Sequence, residues 1–353
     1  MIINFLIIIQ ENNDFSDGRY IIMGKNNEKN KLNIGTLIGE YGAYIALVLL
    51  VIVISCVSPE FRTGSNFLNL LRQASFNGLI AFGMTCVILS DGIDLSVGST
   101  FALSAIICAE LMIHGIPAAA AILIALLAGT ALGMVSGVLV TKGRLQPFIA
   151  TLITMTAYRG LALIITDGKP VSRLAASVKN ESGAFLFKVL GKGSFVFGPN
   201  DMISIPIPAI ILILFLLVFY FVLHHTTFGR RIYATGSNEK CAKLVGVNTT
   251  KIRIAVYSIS GFMSALAGLI MISRVDSAQP TLGEGYELDA IAAVALGGTS
   301  MSGGRGKIVG TIAGVLIIAV LNNGLNILGV STYYQEVIKA VVILVAVLSD
   351  RKR

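Results

Sequence analysis

The chain has 353 residues, of which 55% are hydrophobic and only 13% charged, with a formal net charge of +8. A soluble domain rarely exceeds about half apolar content. Runs of about 20 apolar residues recur here, so composition excludes a soluble globular domain and predicts an all-α, polytopic integral membrane protein. In that class the positive charge speaks for orientation and for the lipid bilayer, not for nucleic acid.

In chain order, residues 1–36 read as a disordered N-terminal tail. MIINFLIIIQ is apolar but too short to span. It lacks the basic start and small-residue cleavage site of a signal peptide. The stretch through Lys31 is polar and Asn-rich. Met23 offers an alternative start, which would make 1–22 dispensable. Residues 37–350 read as a single transmembrane domain of about ten spanning or half-spanning segments. They fall near 37–57, 74–90, 96–113, 118–140, 148–166, 203–223, 252–272, 286–297, 307–328 and 334–349. The second and eighth are short or Gly-interrupted and read as broken or tilted helices, tolerated where protein buries them. The 37 glycines suit close helix packing.

An even count of spans places both ends on one side. That side holds the tail, Thr141–Arg144, the 224–253 loop, Arg305 with Lys307, and Arg351–Arg353. Together these carry about 17 of the 27 Lys and Arg residues, whereas the opposite long loop, 167–202, carries five. The positive-inside bias therefore predicts cytoplasmic termini.

A weak echo links ILSDGIDLSVGS (Ile88–Ser99) with LGGTSMSGGRG (Leu296–Gly306). Both are Gly/Ser-rich turns between a shorter and a longer segment, the pattern of two pseudo-related halves. The second resembles nucleotide-binding loops only superficially. Ile308 follows Gly306-Lys307 where a phosphate loop needs Ser or Thr, and Met301 stands where its first Gly belongs. It reads as a tight glycine turn, and the chain is expected to have no ATPase of its own. Cys56, Cys86, Cys108 and Cys241 form no CxxC pair, and His114, His224 and His225 form no ligand cluster. No disulfide framework, metal or cofactor is implied.

Four features could carry function. Within 224–253, Ser237-Asn238-Glu239 is a helix start, Lys240–Val245 makes two short turns, and Gly246 is a natural stop. A short helix in the longest basic loop is not needed to hold a polytopic protein together. It reads either as a docking surface for a cytoplasmic partner or as a solvated positive loop. Asp91 and Asp94 lie between apolar segments, either on an ion path or, for Asp94, as the cap of the helix opening at Ser96. Arg159 lies inside the fifth segment without a sequence partner, while Glu336 and Lys339, three apart in the tenth, can neutralise each other. Asn322, Asn323 and Asn326 share one side of the ninth segment, and Tyr286 belongs to a polar loop before the eighth. Amides and an aromatic ring suit a path for a hydroxyl-rich solute. Hydrogen bonding between helices is the alternative.

Several blocks match a known family: Gly83-Met84-Thr85 with SDGIDLSVGS (Ser90–Ser99), Pro147–Arg159 with its FIATLIT core, and Thr227–Gly246. SAQPTLGEGYELDAIAAVALGGTSMSGGRG (Ser277–Gly306) and NNGLNILGVSTYY (Asn322–Tyr334) complete the set. Through them the chain resembles the permease subunits of bacterial sugar ABC importers, the last two blocks lying nearest the ribose branch. The resemblance runs from about residue 40 to the end, excluding 173–200. It implies a homodimer in the bacterial plasma membrane, a separate cytoplasmic ATP-binding subunit and an extracytoplasmic ribose-binding protein. It also implies a coupling helix at Asn238–Gly246, with Asn238, Glu239, Lys240, Ala242, Leu244 and Gly246 facing the ATPase. A cation-coupled secondary transporter, and a permease for xylose, a galactoside, a nucleoside or a furanose signal, stay open as alternatives.

Overall fold

The computed structural model describes residues 34–178, 181–197 and 203–350. Residues 1–38 form a unit of their own, of which only 34–38, the opening of the first helix, are described. The expected disordered tail up to residue 33 lies outside the described residues. The second unit, Gly39–Arg353, holds the rest of the fold.

The helices are α1 (Ile34–Val57), α2 (Gly64–Leu89), α3 (Val97–Ile113), α4 (Ala118–Thr141), α5 (Pro147–Thr166), α6 (Leu174–Ser177) and α7 (Glu181–Lys192). They continue as α8 (Ile207–His225), α9 (Thr227–Ser237), α10 (Glu239–Leu244), α11 (Thr249–Val275), α12 (Tyr286–Leu296), α13 (Ile308–Ile327) and α14 (Thr332–Asp350). The strands are short: β1 (Val171–Ser172) pairs antiparallel with β4 (Ser277–Ala278), and β2 (Ser194–Phe197) with β3 (Ile203–Pro206). The protein is thus a polytopic all-α membrane protein, and each of the ten expected segments is a helix. By length and composition α4, α5, α8, α11 and α13 can each cross a membrane among the described residues, with shorter apolar helices at Gly42–Val57 and Val97–Ile113.

Two boundaries differ most from expectation, while α1 and α11 run about three residues beyond theirs. The second segment is neither short nor broken. It is 26 residues long, opening ten residues before the expected 74, where the Thr63 hydroxyl accepts the Asn66 amide. Its first turns carry Asn66, Asn69, Arg72 and Gln73, so an apolarity criterion cuts them off. The sixth segment becomes helical only at Ile207, because residues 203–206 pair with 194–197. The eighth is short, at 11 residues.

The centre is α11, which packs against α2, α3, α4 and α7. Its tightest neighbour is α4. Gly129, Gly133 and Gly137 recur every fourth residue along α4, as small residues do where membrane helices meet closely. A Cβ on Gly133 would run into the Tyr257 carbonyl oxygen and stand 3.0 Å from the Gly261 Cα, and one on Gly261 would run into the Gly129 carbonyl. Hydroxyls tie further helices: Thr85 to Thr311 at 2.9 Å, and Ser136 to Thr154 at 3.0 Å. At the far end of α11, the Ser273 hydroxyl donates to the Phe187 carbonyl and accepts the Gly191 amide at 2.8 Å, seating α7.

Gly133→Ala is expected to force α4 off α11 and to cost about 1–3 kcal/mol, the usual range for overpacking. Gly160→Ala on α5, where nothing lies within 4 Å of an added Cβ, serves as the control. Thermal midpoints in detergent decide; equal midpoints for both variants would refute the glycine seam.

Candidate functional site

The 224–253 segment builds a compact device. The Thr226 hydroxyl accepts the Gly229 amide to start α9, and Asn238 then turns extended and accepts the Cys241 amide at 3.0 Å to start α10. Gly246 closes α10 at φ +83°, a left-handed conformation natural to glycine. The Gly246 and Val247 amides bond back to the Lys243 and Ala242 carbonyls, both at 3.0 Å. Of the residues assigned to coupling, Ala242 is buried, and Lys240 and Leu244 are exposed. Leu244 is 86% and Val245 78% exposed, an apolar tip on a helix otherwise held down.

Glu239 does the holding. Its carboxylate meets Lys243 at 2.7 Å and Arg253 at 3.2 Å, and accepts the Thr249 hydroxyl at 3.1 Å. Arg253, only 14% exposed, also approaches Asp91 at 3.8 Å. Through this arginine α10 is linked to the loop between α2 and α3. The preceding helix reaches the same place. The Tyr233 hydroxyl donates to the Gly306 carbonyl at 2.9 Å, and the Gly304 amide donates to the Leu89 carbonyl at 3.0 Å. The two Gly/Ser-rich turns that echo each other in sequence therefore lie against one another. The Arg305–Lys307 turn meets this cluster through Gly306, and Arg144 lines a cleft with Glu239, Lys243 and Arg253; we call this the basic face.

Asp94 is buried beneath it. One carboxylate oxygen accepts the Ser96 amide at 3.0 Å and the Ser96 hydroxyl at 2.6 Å, the other the Ser260 hydroxyl at 2.8 Å. It satisfies the residue just ahead of α3, which opens at Val97, and binds that start to α11. Helix α3 has Ser96 at its N-cap and no side-chain cap, so in place of the expected cap Asp94 accepts three hydrogen bonds that tie the turn ahead of α3 to α11.

The residues expected to line a path separate. Asn323 exchanges two hydrogen bonds with Asn66, at 2.8 and 3.0 Å, and Asn326 accepts from Gln335 at 2.9 Å. These amides join helices. Asn322 is different: its amide nitrogen reaches Asp289 at 3.5 Å, and its buried oxygen has no partner among the described residues. Asp289 in turn pairs with Lys339 at 3.2 Å. That corrects the expected neutralisation of Lys339 by Glu336, which is exposed. A buried carboxylate on α12 offers the lysine far better compensation than a solvated neighbour. Tyr286, one turn before Asp289, stacks on Phe76 at 5.7 Å and stands edge-on to Phe101 at 5.3 Å. Arg159 sits apart from the asparagines. It donates to the Pro280 carbonyl and, at 2.8 Å, to the Leu282 carbonyl, bracing the loop that leads into α12. Sequence reasoning missed Asn66 and the role of Asp289, and it gave Lys339 the wrong partner. An acid one turn inside an apolar segment was the available signal for Asp289.

Residues 66–347 match the family described as branched-chain amino acid transport system / permease component, and the chain belongs to that family. Among its relatives, the ribose import permease protein RbsC of Bacillus subtilis (strain 168) is 50% identical over 326 residues, covering 92% of this chain and 97% of that protein. The protein of the same name from Escherichia coli (strain K12) is 49% identical over 314 residues, or 89% and 94%. The D-allose transport system permease protein AlsC of Escherichia coli (strain K12) is 37% identical over 326 residues, or 92% and 95%. No solved structure matches the chain. The chain is a multi-pass membrane protein and a transport component.

Glu239 supplies a pH test of the clasp. Its carboxyl is held below the ordinary 4.5 chiefly by the Lys243 hydrogen bond, with Arg253 and Thr249 helping against partial burial. A lowered folded value means the ionised clasp contributes in full above 4.5 and fades as pH falls through the folded value. A spin label on exposed Cys241, with Cys56 replaced by Ser, is expected to keep one spectrum from about pH 5 to 8 and to gain mobility only in stronger acid. Mobility appearing near neutrality would contradict it.

Proposed function

We propose that the chain is the translocation subunit of an ATP-binding-cassette importer for ribose. The observation that carries this is the 50% identity over 97% of a ribose import permease. The partners are a cytoplasmic ATP-binding subunit, an extracytoplasmic ribose-binding protein and a second copy of this chain. The setting is the bacterial plasma membrane. Both termini lie in the cytoplasm, supported by the gathering of the basic loops on one face, as positive-inside orientation requires.

In this reading α10 docks into the ATPase through Leu244, with Asn238, Glu239, Lys240, Ala242 and Gly246 shaping and holding the element. Displacement of α10 passes through Glu239 and Arg253 to Asp91, and along α11 to Ser260 and Asp94. ATP binding then shifts the balance between two arrangements of the helices in which the docked faces differ. The sugar path runs by Asn322 and Tyr286, with Asp289 and Lys339 beside them; Asn323, Asn326 and Arg159 support its walls. Asn322's unpartnered oxygen is free to accept a sugar hydroxyl. The partner ATPase supplies turnover, and the chain catalyses none.

Asp94 separates this reading from cation coupling. A coupling acid must take and release a proton, which Asn cannot do. A structural acceptor tolerates Asn, whose oxygen still accepts and whose amide can donate to a reoriented serine hydroxyl. In proteoliposomes holding the full complex and ATP, ribose uptake is expected to survive an uncoupler. Asp94→Asn is expected to keep most of it, and Asp94→Leu to fail in folding through unsatisfied hydroxyls. Uptake abolished both by the uncoupler and by Asp94→Asn would establish secondary transport instead.

A further inference from the structure

Beside α10 opens a polar cleft of about 550 Å³, lined among others by Thr141, Arg144, Gln146, Glu239, Lys243 and Arg253. Three cations line it against one carboxylate. That carboxylate is already committed, since Glu239 meets Lys243 and Arg253 and accepts from Thr249. Arg144 is not among those partners, and its guanidinium makes no hydrogen bond or ion pair among the described residues. Arg253 has a buried Nε without a hydrogen-bond partner among the described residues.

Arg144 is also held in place. Its backbone adopts φ +54°, unusual for a residue with a side chain. The flanking amides of Gly143 and Leu145 bond back to the Val138 and Leu139 carbonyls at the end of α4. The loop thus keeps a charged side chain in a costly conformation on the cleft wall. Lys243 joins the cleft to α10, whose Leu244 and Val245 project from the same short segment.

We propose that this cleft is a second anchor for the cytoplasmic partner, receiving a carboxylate from an acidic side chain that stands beside the apolar socket for Leu244 and Val245. The proposal rests on α10 being the docking element. Its chemistry comes from the groups present: a guanidinium without a partner, an ammonium beside it, and an acid whose charge is already spoken for. A planar carboxylate suits a guanidinium, which can donate two parallel hydrogen bonds to it. Such a charge at the edge of an apolar contact governs encounter rate, register and salt dependence more than total affinity.

The test uses the full complex in phosphatidylcholine nanodiscs. Affinity of the ATPase subunit for the permease is measured at several salt concentrations, together with ATPase stimulation by loaded binding protein. Arg144→Gly removes the charge yet keeps a residue suited to the left-handed backbone, so the loop is preserved. It is expected to weaken association about two- to fivefold at physiological salt, as a partly exposed ion pair would. The difference from the unsubstituted complex should vanish near 1 M salt, where screening acts over about 3 Å. Arg144→Lys should recover part of the loss and Arg144→Glu deepen it. Leu244→Asp is the companion variant, expected to abolish association at every salt concentration. If Leu244→Asp does so while Arg144→Gly binds with unchanged affinity and salt dependence, the second anchor is refuted and α10 docking stands. If Leu244→Asp binds normally, the docking role of α10 itself is refuted. An Arg144→Gly defect that appears only when phosphatidylglycerol replaces part of the lipid would assign the cleft to anionic headgroups and overturn the proposal.

Discussion

The structure depends on how closely other helices can approach α11. In a bilayer the hydrophobic effect does not drive helices together, because lipid tails are as apolar as leucine; close packing must do so. Along α4 and at Gly261 the side chains are reduced to hydrogen, and backbone meets backbone. Gly83 of α2 extends the same device, since a Cβ there would stand 2.9 Å from the Ser260 Cα. With α2, α3, α4 and α7 all seated on one helix, the polar groups of α11 find partners that are distant in sequence. Ser260 meets Asp94, Tyr257 donates to the Ile93 carbonyl at 3.1 Å, and Arg253 meets Asp91 and Glu239.

That geometry explains what could be read in advance. The short helix α10 was legible to within a residue at each end because its determinants are local: an Asn cap, an acid in the first turn, a glycine able to adopt positive φ. The ten helices were legible from apolarity, and α2 was cut short where its opening turns are polar and satisfied by a distant helix. Asn66 meets Asn323 across 257 positions, a pairing no window of sequence can contain.

The interior was the least legible part. Asn322, Asn323 and Asn326 look alike in sequence, three amides on one helix, yet they have separate fates. Two are spent on helix pairing and one is left with a bare oxygen beside an ion pair. The difference comes from the helices packed around α13, namely α2, α12 and α14, and each amide meets a different one. Lys339 was misread for the same reason. The acid three residues away was visible, but the buried Asp289, 50 positions earlier, offers a drier and stronger interaction.

The position of the glycine seam along α11 also bears on motion. The helix runs from Thr249 to Val275, and Gly261 falls at its midpoint. A helix of 27 residues is about 40 Å long. Arg253 lies near one end, while Ser273, which holds α7, lies near the other. The close contact with α4 runs along α11 from Ile254 to Ala265, so the middle of the helix is held while Arg253 and Ser273 lie beyond the two ends of the seam. Tilting it by roughly 5° would swing each end by about 2 Å, in opposite directions. A pull on the arginine at one face would become a push on the helix seated at the other.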